Sequence, residues 1–423
     1  MSGNAPTVPF VQSGSSNVAA SRPDTQRGFE LPRIDELSKE QEDARALPKH
    51  GQHLIIGGPG TGKSVLALIR SRRHHLDRDD YVFLVYNRLL NQSSRLLFGT
   101  KDARDTRAAA LKGTELRSAQ WQSWFAGIFV RYTNSQVPRL LPGKHGWRDV
   151  DWDGVEQTIA ALPASTATAS PFLIIDEGQD MPPAFYQALV NLGFENFYVV
   201  ADQNQQIVSG KNSTRQDIQR GLGIETSGVI ELHDNYRNTY PIARLAREFY
   251  TGNPASPPPA LPNKPSAVRP LLYEYAHGRF ETVIRRILKT ADNNPKKLIG
   301  VIAPDNDVRE KYCRSLQSVN VELDHGRPRV ETYHSGANPQ LRFDQGGILV
   351  VNAQSCKGLE FDTVFLADIH RHRSDAKDPD RAKRLFYVMV ARAKDHVIML
   401  KEQGKHCPVE AILPKDTDVL ERK

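Results

Sequence analysis

The chain has 423 residues, 39% of them hydrophobic and 25% charged, which is typical of a soluble globular protein with two or three domains. No apolar run approaches the roughly 18 residues that cross a bilayer, so we expect no membrane partner. The net charge of +7 favours contact with nucleic acid, although a solvated basic surface would carry the same charge. Three scattered cysteines suit neither a disulfide framework nor a zinc site and indicate a reducing, cytoplasmic location.

Residues 1–30 are rich in Ser, Asn, Gly and Pro and lack the basic start and apolar core of a secretory signal. We therefore predict a disordered tail there. Beyond Leu37, short apolar runs alternate with helical stretches. Buried strands are predicted at 53–58, 81–86, 171–176 and 197–202, with a helix at 62–75 after the first of them. This alternation predicts a mainly parallel sheet with helices on both faces.

A second series of the same kind begins after Gly228 with "VIELHDNYR", followed by a predicted helix at 240–252. Seven prolines between residues 253 and 270 exclude regular structure and predict an exposed linker or long surface loop. Strand and helix patterns then resume up to residue 400. The predicted organisation is a first α/β domain at 31–230, a second at 231–403 and a polar tail at 404–423.

The stretch "GGPGTGKS" at 57–64 lies between a predicted strand and helix and matches the phosphate-binding loop pattern G-x4-G-K-[ST]. Glycines there let backbone N–H groups wrap phosphates, and the following helix adds its positive N-terminus. We expect Lys63 to reach the β- and γ-phosphates of ATP and Ser64 to ligate Mg²⁺. The predicted nucleotide-binding residues of this loop are Gly57, Gly58, Pro59, Gly60, Thr61, Gly62, Lys63 and Ser64.

The stretch "LIIDEGQD" supplies two carboxylates at the end of an apolar strand. Asp176 and Glu177 should therefore lie at the C-terminal edge of the sheet, where the phosphate loop also lies. We predict that Asp176 holds Mg²⁺ together with Ser64, and that Glu177 polarises the attacking water as general base. Hydrolysis of ATP, and not only binding, is the expected outcome.

The sequence "DEGQD" resembles the D-E-x-Q-D signature of superfamily 1 helicases of the UvrD/Rep type. Other stretches resemble further motifs of that family, in the family's order: "LSKEQ", "VADQNQQI", "DNYRN", "AQSCKGLEFDTVFL" and "RLFYVMVARAK". The resemblance extends from residue 37 to residue 400. It implies two RecA-like P-loop NTPase domains, with mainly parallel sheets flanked by helices and an ATP site in the cleft between the domains.

The resemblance also implies roles for single residues. Gln41 would read adenine, and Gln205 would contact the γ-phosphate and couple hydrolysis to movement. The implied contacts from the second domain or its entrance are Tyr236 stacked on adenine, Arg237 at the γ-phosphate, Gly358 near the site, Glu360 on the ribose and Arg392 as arginine finger. Such an arginine stabilises transition-state charge, by about 10³-fold or more, and makes cleft closure depend on the γ-phosphate.

In this family, single-stranded nucleic acid crosses both domains. The stretches "VYNRLLNQSSRLL" and "RSAQWQSWF" lie where contact motifs are expected. The candidate contacts are Asn87, Arg88, Ser93, Trp121, Ser123 and Trp124. Aromatic rings there could stack on bases, each worth about 1–3 kcal/mol. Core packing of an amphipathic helix explains the two tryptophans equally well.

Three features depart from the family pattern, of which the smallest is "VMVAR" in place of the usual "ITR" before the arginine finger, Arg392 itself being retained. The family follows the motif at "VADQNQQI" with an aromatic residue that stacks on a base, whereas residues 208–214 contain none. The chain is also too short for the large accessory domains of the family, so a minimal form is expected. The sequence thus predicts the ATPase machinery and gives no signal for duplex unwinding.

Three functions fit these observations. The leading hypothesis is a nucleic-acid-dependent ATPase that couples ATP hydrolysis to movement on, or remodelling of, single-stranded DNA. The second is an ATP-switched regulatory subunit that gates a partner nuclease or a repair or defence complex without unwinding DNA. The third is an ATPase that remodels RNA, because a related branch of the superfamily also handles RNA.

Overall fold

The computed structural model describes residues 24–100, 114–142, 148–163, 170–205, 212–252, 257–334, 340–373, 375 and 378–423. Over these ranges the chain is an α/β protein with two mainly parallel sheets flanked by helices, which confirms the predicted fold class at this level. None of the helices in these ranges combines the length and apolarity of a membrane span. The predictions for residues 1–23 and for the missing aromatic at 208–211 lie outside the described residues.

The first sheet contains the buried strands predicted around the glycine-rich loop. Its strands are β1 (Gln52–Gly57), β2 (Tyr81–Val85), β3 (Ser118–Gln120), β4 (Phe172–Ile175), β5 (Phe197–Ala201) and β6 (Val229–Leu232). All neighbours are parallel, in the order β3-β2-β4-β5-β1-β6. Leu54 and Ile56 pack on one face and Ile55 on the other. This two-sided burial explains why the strands are continuously apolar.

Helices cover both faces of this sheet. They are α1 (Lys39–Ala46), α2 (Lys63–Leu76), α3 (Arg88–Phe98), α4 (Trp121–Thr133), α5 (Trp152–Ala160), α6 (Pro183–Asn191) and α7 (Arg215–Leu222). α2 begins directly after the glycine-rich loop that follows β1. α3 begins soon after β2, where the Asn87 side chain accepts a hydrogen bond from Leu90 N at 2.8 Å and caps the helix. We call the part of the chain that builds this sheet the first half.

The second half is built in the same way. Its strands are β7 (Leu271–Tyr275), β8 (Leu298–Ala303), β9 (Val330–Thr332), β10 (Gly347–Asn352), β11 (Phe361–Leu366), β12 (Ala393–Glu402) and β13 (Glu421–Arg422). All pairs are parallel, in the order β13-β7-β12-β11-β8-β10-β9. Its helices are α8 (Tyr240–Glu248), α9 (Phe280–Asp292), α10 (Asn306–Ser318) and α11 (Asp380–Val390). Apolar cores lie on both faces of this sheet as well.

The strand at 229–232 belongs to the first sheet, although we predicted this stretch as the start of the second series. β6 pairs with β1, from Leu54 opposite Val229 to Gly57 opposite Leu232. The prediction was wrong because hydrophobic periodicity identifies a strand but not its neighbours in the sheet. The chain therefore leaves the first sheet after Leu232, slightly beyond the predicted boundary at 230.

The end of the predicted N-terminal tail is packed against the second half. Arg27 is buried, and its Nε donates to Asp362 Oδ2 at 2.9 Å while its Nη1 donates to the Phe343 carbonyl at 3.0 Å. Phe29 is buried in a core of the second sheet. The prediction of disorder was wrong for residues 24–30, because this ion pair and this apolar contact offset the entropy cost of ordering the segment.

The predicted C-terminal tail is also part of the second half. β13 pairs with β7, and Leu413, Val419 and Leu420 are buried in the same core as Phe29. The prediction of a polar tail at 404–423 was wrong because apolar residues scattered among the charged ones converge on the sheet.

The proline-rich stretch has no helix or strand at 257–270, as predicted, but it is not a free linker. Pro259 is buried, and its carbonyl accepts a hydrogen bond from Arg247 Nη2 at 2.8 Å. Ala260 N donates to the His233 carbonyl at 2.6 Å. Residues 253–256 lie outside the described ranges.

Replacing Arg27 with alanine should destabilise the protein by about 3 kcal/mol, because Asp362 then loses the cation of a buried pair. Chemical denaturation monitored by circular dichroism measures this change. Arg33→Ala is the matched control, because Arg33 pairs with Asp35 in an exposed setting, and it should cost less than about 0.5 kcal/mol. Equal effects of the two variants would contradict the packing of the N-terminal segment.

Candidate nucleotide-binding cleft

The glycine-rich loop is held from outside by α1. Gly60 and Gly62 have φ of +81° and +89°, a backbone conformation that disfavours residues with a Cβ. A Cβ on Gly62 would lie 2.4 Å from Gln41 Nε2. The same Nε2 donates to the Thr61 carbonyl at 3.0 Å, so Gln41 supports the loop as well as lining the cleft.

The Lys63 side chain points back into the loop. Its Nζ donates to the Gly58 carbonyl at 2.7 Å and lies 3.5 Å from Asp202 Oδ2. Lys63 is buried, and this burial lowers the pKa of its ammonium group. The loop therefore encloses a cation against carbonyl and carboxylate oxygens.

Two carboxylates follow β4, as predicted. Asp176 is 1% exposed; its Oδ1 accepts from Glu177 N at 2.9 Å, whereas its Oδ2 has no hydrogen-bond partner. Burial and the charge of Glu177 raise the pKa of Asp176 to about 7. Within the described ranges, no group of three or more His, Cys, Asp or Glu side chains could hold a metal ion. A cation at Asp176 would therefore need other oxygen ligands, such as the Ser64 hydroxyl.

Glu177 is surrounded by cations from both halves. It has φ of +55°, and its Oε2 accepts from Gln179 Nε2 at 2.6 Å. Burial alone would raise the pKa of Glu177, but the charges of Lys357, Arg392 and Lys63 outweigh burial and hold the pKa below its ordinary value. Glu177 is therefore an ionised carboxylate at neutral pH.

Arg392 reaches across to the first half. It directly precedes β12 and is 1% exposed. Its Nη2 donates to Gln205 Oε1 at 2.8 Å, and Gln205 Nε2 donates to Asp202 Oδ2 at 2.6 Å. A continuous chain of polar contacts thus connects Arg392 to the Lys63 ammonium group.

Arg237 is paired with Glu360 on one side of the cleft. Arg237 Nε donates to Glu360 Oε1 at 2.8 Å, and Lys394 Nζ lies 3.3 Å from Glu360 Oε2. Although burial opposes the shift, these two cations hold the pKa of Glu360 far below its usual range. The Tyr236 ring is about half exposed, and Tyr236 N donates to the Gly60 carbonyl at 2.9 Å.

These side chains line one cleft of about 470 Å³ between the two halves. The residues predicted for the nucleotide site that line it are Gln41, Pro59, Gly60, Gly62, Lys63, Ser64, Glu177, Gln205, Tyr236, Arg237, Gly358, Glu360 and Arg392. Gly57, Gly58, Thr61 and Asp176 do not line it, and Thr61 and Asp176 are almost fully buried behind its surface. The structure therefore brings together residues that span 351 positions of the sequence, from Gln41 to Arg392 (392 − 41).

The tryptophans differ in accessibility. Trp121 is 6% exposed, and its ring contacts Phe185 edge-on at 5.1 Å between centroids. Trp124 is partly buried against Phe194. Core packing, the alternative raised from the sequence, therefore describes Trp121. Its ring is not available to stack on a base, because apolar neighbours already cover it.

The other residues predicted to contact nucleic acid also differ in their exposure to solvent. Arg88 and Ser123 are exposed, whereas Ser93 is 7% exposed and lines the cleft. Asn87 is partly buried, and its Nδ2 donates to the Lys357 carbonyl at 3.4 Å. The structure therefore does not gather these residues into one exposed surface.

Lys357 and Asp180 also belong to this site, although we did not predict them from the sequence. Lys357 Nζ donates to Asp180 Oδ1 and to the Gln205 carbonyl, both at 2.7 Å, and lies 3.8 Å from Glu177 Oε2. Lys357 is 4% exposed, and although burial opposes the shift, the two carboxylates raise the pKa of its ammonium group. The available signal was position: Asp180 ends "DEGQD", and Lys357 directly precedes Gly358.

Comparison with known proteins bears on the second half. Residues 347–400 match the family model of the UvrD-like helicase C-terminal domain, and this segment contains Gly358, Glu360 and Arg392. Among solved structures, the C-terminal domain of a possible DNA helicase from Lactobacillus plantarum WCFS1 is similar, with 15% sequence identity and a TM-score of 0.32, over 44% of this chain and 97% of that chain. No curated protein matches this chain. The helicase-like assignment thus applies to residues 347–400.

The proline-rich stretch contacts the back of the glycine-rich loop. A Cβ on Gly58 would lie 2.4 Å from Pro259 Cδ and 2.9 Å from Pro259 Cγ. Pro259 is itself fixed by Arg247 through the hydrogen bond described above. Gly58 is therefore required by a contact with the second half and not by its own backbone conformation.

Gly58→Ala should lower the free energy of unfolding by about 1–3 kcal/mol, because the new methyl group overlaps the proline ring. In a Pro259→Ala background, which removes Cγ and Cδ of the ring, the same change should cost clearly less. Thermal and chemical denaturation of the four proteins completes the double-mutant cycle. Equal costs in the two backgrounds would show that the proline ring does not press on the loop.

Proposed function

We propose that this chain is a nucleic-acid-dependent ATPase, the motor core of a superfamily 1 helicase or translocase of the UvrD type. In this proposal the halves are two RecA-like domains, covering residues 31–232 and the chain beyond, with ATP in the cleft between them. The main support for this proposal is the position of Arg392. It extends from the second half into the cleft that Lys63 and Glu177 also line, and it hydrogen-bonds to Gln205. A cation placed across a cleft from a general base suits phosphoryl transfer.

ATP fits the chemistry of the cleft. The glycine-rich loop and the start of α2 offer N–H donors and a positive helix end to the phosphates. Lys63 would exchange its bond to the Gly58 carbonyl for the β- and γ-phosphates. The exposed Tyr236 ring would stack on adenine near Gln41, and Glu360 would reach the ribose while it stays paired with Arg237.

Mg²⁺ fits at Asp176 and Ser64. The unpartnered and buried Asp176 Oδ2 is a strong acceptor in need of a cation, and a Ser hydroxyl oxygen suits the same hard ion. When bound, Mg²⁺ would neutralise phosphate charge and draw the pKa of Asp176 down. Ser64 lines the cleft, and a hydrogen bond from its side chain lowers the pKa of Asp176, so the two side chains are close enough to share a cation.

Glu177 suits the role of general base because it lines the cleft beside Gln205 and Arg392 and the surrounding cations favour its ionised form. It would accept a proton from the attacking water, while Lys357 and Arg392 limit the repulsion between Glu177 and the phosphates. Arg392 and Gln205 hydrogen-bond to each other here, so a γ-phosphate would have to compete for both groups. Hydrolysis would therefore change a contact between the halves and move one relative to the other.

Burial of Trp121 favours a second candidate, the ATP-switched subunit that gates a partner nuclease or a repair or defence complex. Aromatic rings that stack on bases strengthen the binding of a motor to single-stranded nucleic acid. The Trp121 ring is buried and cannot stack on a base. The leading proposal then relies on polar phosphate contacts from residues such as Arg88 and Ser123. An RNA-remodelling ATPase would make the same phosphate contacts.

Lys63→Ala and Glu177→Gln should each lower ATP turnover at least 100-fold, the first with weakened ATP binding and the second with binding retained. Arg392→Ala should lower kcat by about 10³-fold with little change in ATP affinity, because it acts on transition-state charge. A coupled-enzyme assay and titration with a fluorescent ATP analogue measure the two quantities. Normal turnover by Glu177→Gln would overturn its assignment as base.

Single-stranded DNA should raise the ATPase rate more than tenfold if the chain is a motor. The stimulation should fall steeply with added salt, because phosphate contacts release counterions. A single-stranded RNA of the same sequence in a parallel assay separates the third hypothesis from the first. An ATPase that neither nucleic acid stimulates would support the switch.

A further inference from the structure

Asn238 bonds to the backbone on both sides of Arg392. Its Nδ2 donates to the Ala393 carbonyl at 2.5 Å and to the Ala391 carbonyl at 3.3 Å. Both N–H bonds of one amide group are thus committed to the residues that flank the arginine. Because the Arg392 side chain crosses the cleft to Gln205, the position of its backbone also determines the position of its guanidinium group.

Asn235 connects Asn238 to the glycine-rich loop. Asn235 Nδ2 donates to Asn238 Oδ1 at 2.8 Å, and Asn235 Oδ1 accepts from Asn238 N at 3.1 Å. A Cβ on Gly60 would lie 2.3 Å from Asn235 Oδ1, so the Asn235 side chain packs directly against the loop. The two asparagines therefore form a bridge from Gly60 to the segment around Arg392.

Both asparagines of this bridge are buried. Asn238 is 1% exposed and Asn235 is 7% exposed. A buried amide group that loses a hydrogen bond destabilises the fold, because its desolvation is no longer compensated. Each of the two side chains is therefore held in the orientation that keeps its hydrogen bonds. Small displacements of the loop at Gly60 would then be transmitted to the backbone at Arg392.

We propose that Asn238 is a positioning residue for Arg392 and that, through Asn235, it couples the glycine-rich loop to the arginine across the cleft. The proposal rests on the proposed ATPase function. Asn238 is absent from the lining of the cleft, although it directly follows Arg237 and donates to the Ala391 carbonyl that Arg237 Nη1 also contacts. Its removal should therefore affect turnover and leave nucleotide binding almost unchanged.

The test compares Asn238→Ala with wild type in steady-state ATPase assays and in titrations with a fluorescent ATP analogue. We expect kcat to fall at least tenfold and the dissociation constant of the analogue to change less than threefold. Asn238→Ser, which retains one donor, should have an intermediate kcat. The matched control is Asn294→Ala, because Asn294 also donates to a backbone carbonyl, that of Thr290 at 2.9 Å, but lies at the end of α9. It should turn over at the wild-type rate.

A double mutant separates positioning from general damage. In an Arg392→Ala background, Asn238→Ala should lower kcat less than twofold further, because the group that it positions is already gone. A tenfold further loss, or a wild-type kcat in the single variant, would overturn the proposal. If Asn238→Ala does not fold, the same cycle is run with Asn238→Ser. Wild-type protein without any ATPase activity would instead overturn the proposed function itself.

Discussion

Two carboxylates buried between the halves are compensated by a cation from across the cleft. Asp180 and Glu177 belong to the first half, and their nearest cation, Lys357, comes from the second. Removing an ionised side chain from water costs several kcal/mol unless an opposite charge is close. Glu177 and Asp180 can therefore stay buried as carboxylates only while the second half is in place.

The direction of the strands decides which residues meet. The glycine-rich loop follows β1 and Asp176 follows β4, so both lie at the C-terminal edge of the first sheet. Glu360 and Arg392 directly precede β11 and β12, so they lie at the N-terminal edge of the second sheet. The cleft thus lies where the C-terminal edge of the first sheet faces the N-terminal edge of the second sheet. The glycine-rich loop, Asp176 and Glu177 come from one edge, and Glu360 and Arg392 come from the other.

Local patterns in the sequence were enough to predict much of this arrangement. A glycine-rich loop between a strand and a helix, or two carboxylates at a strand end, depends on neighbouring residues alone. The partnership of Lys357 with Asp180 spans 177 positions, and no periodicity marks it. A lysine in a polar stretch looks like a surface residue until its partner is known. Position within the quoted motifs was a signal for Lys357, Asp180 and Asn238, but their partners could not be predicted from the sequence.

Ambiguous patterns account for the other differences. An apolar stripe on a helix has the same composition whether it packs in a core or stacks on bases, and only the contact of Trp121 with Phe185 decides between them. The strand at 229–232 was recognisable, but its place beside β1 was not. The two ends of the chain looked polar because their apolar residues are few and widely spaced.

The packing of Arg27 and Phe29 makes the second half discontinuous in sequence. Arg27 and its partner Asp362 are 335 positions apart, and the whole first sheet is built between them. A fragment that starts at residue 233 would leave Asp362 without its cation and open the core where Phe29 lies. An isolated second half would need residues 24–30 spliced on, for example by circular permutation through a linker from the C-terminus.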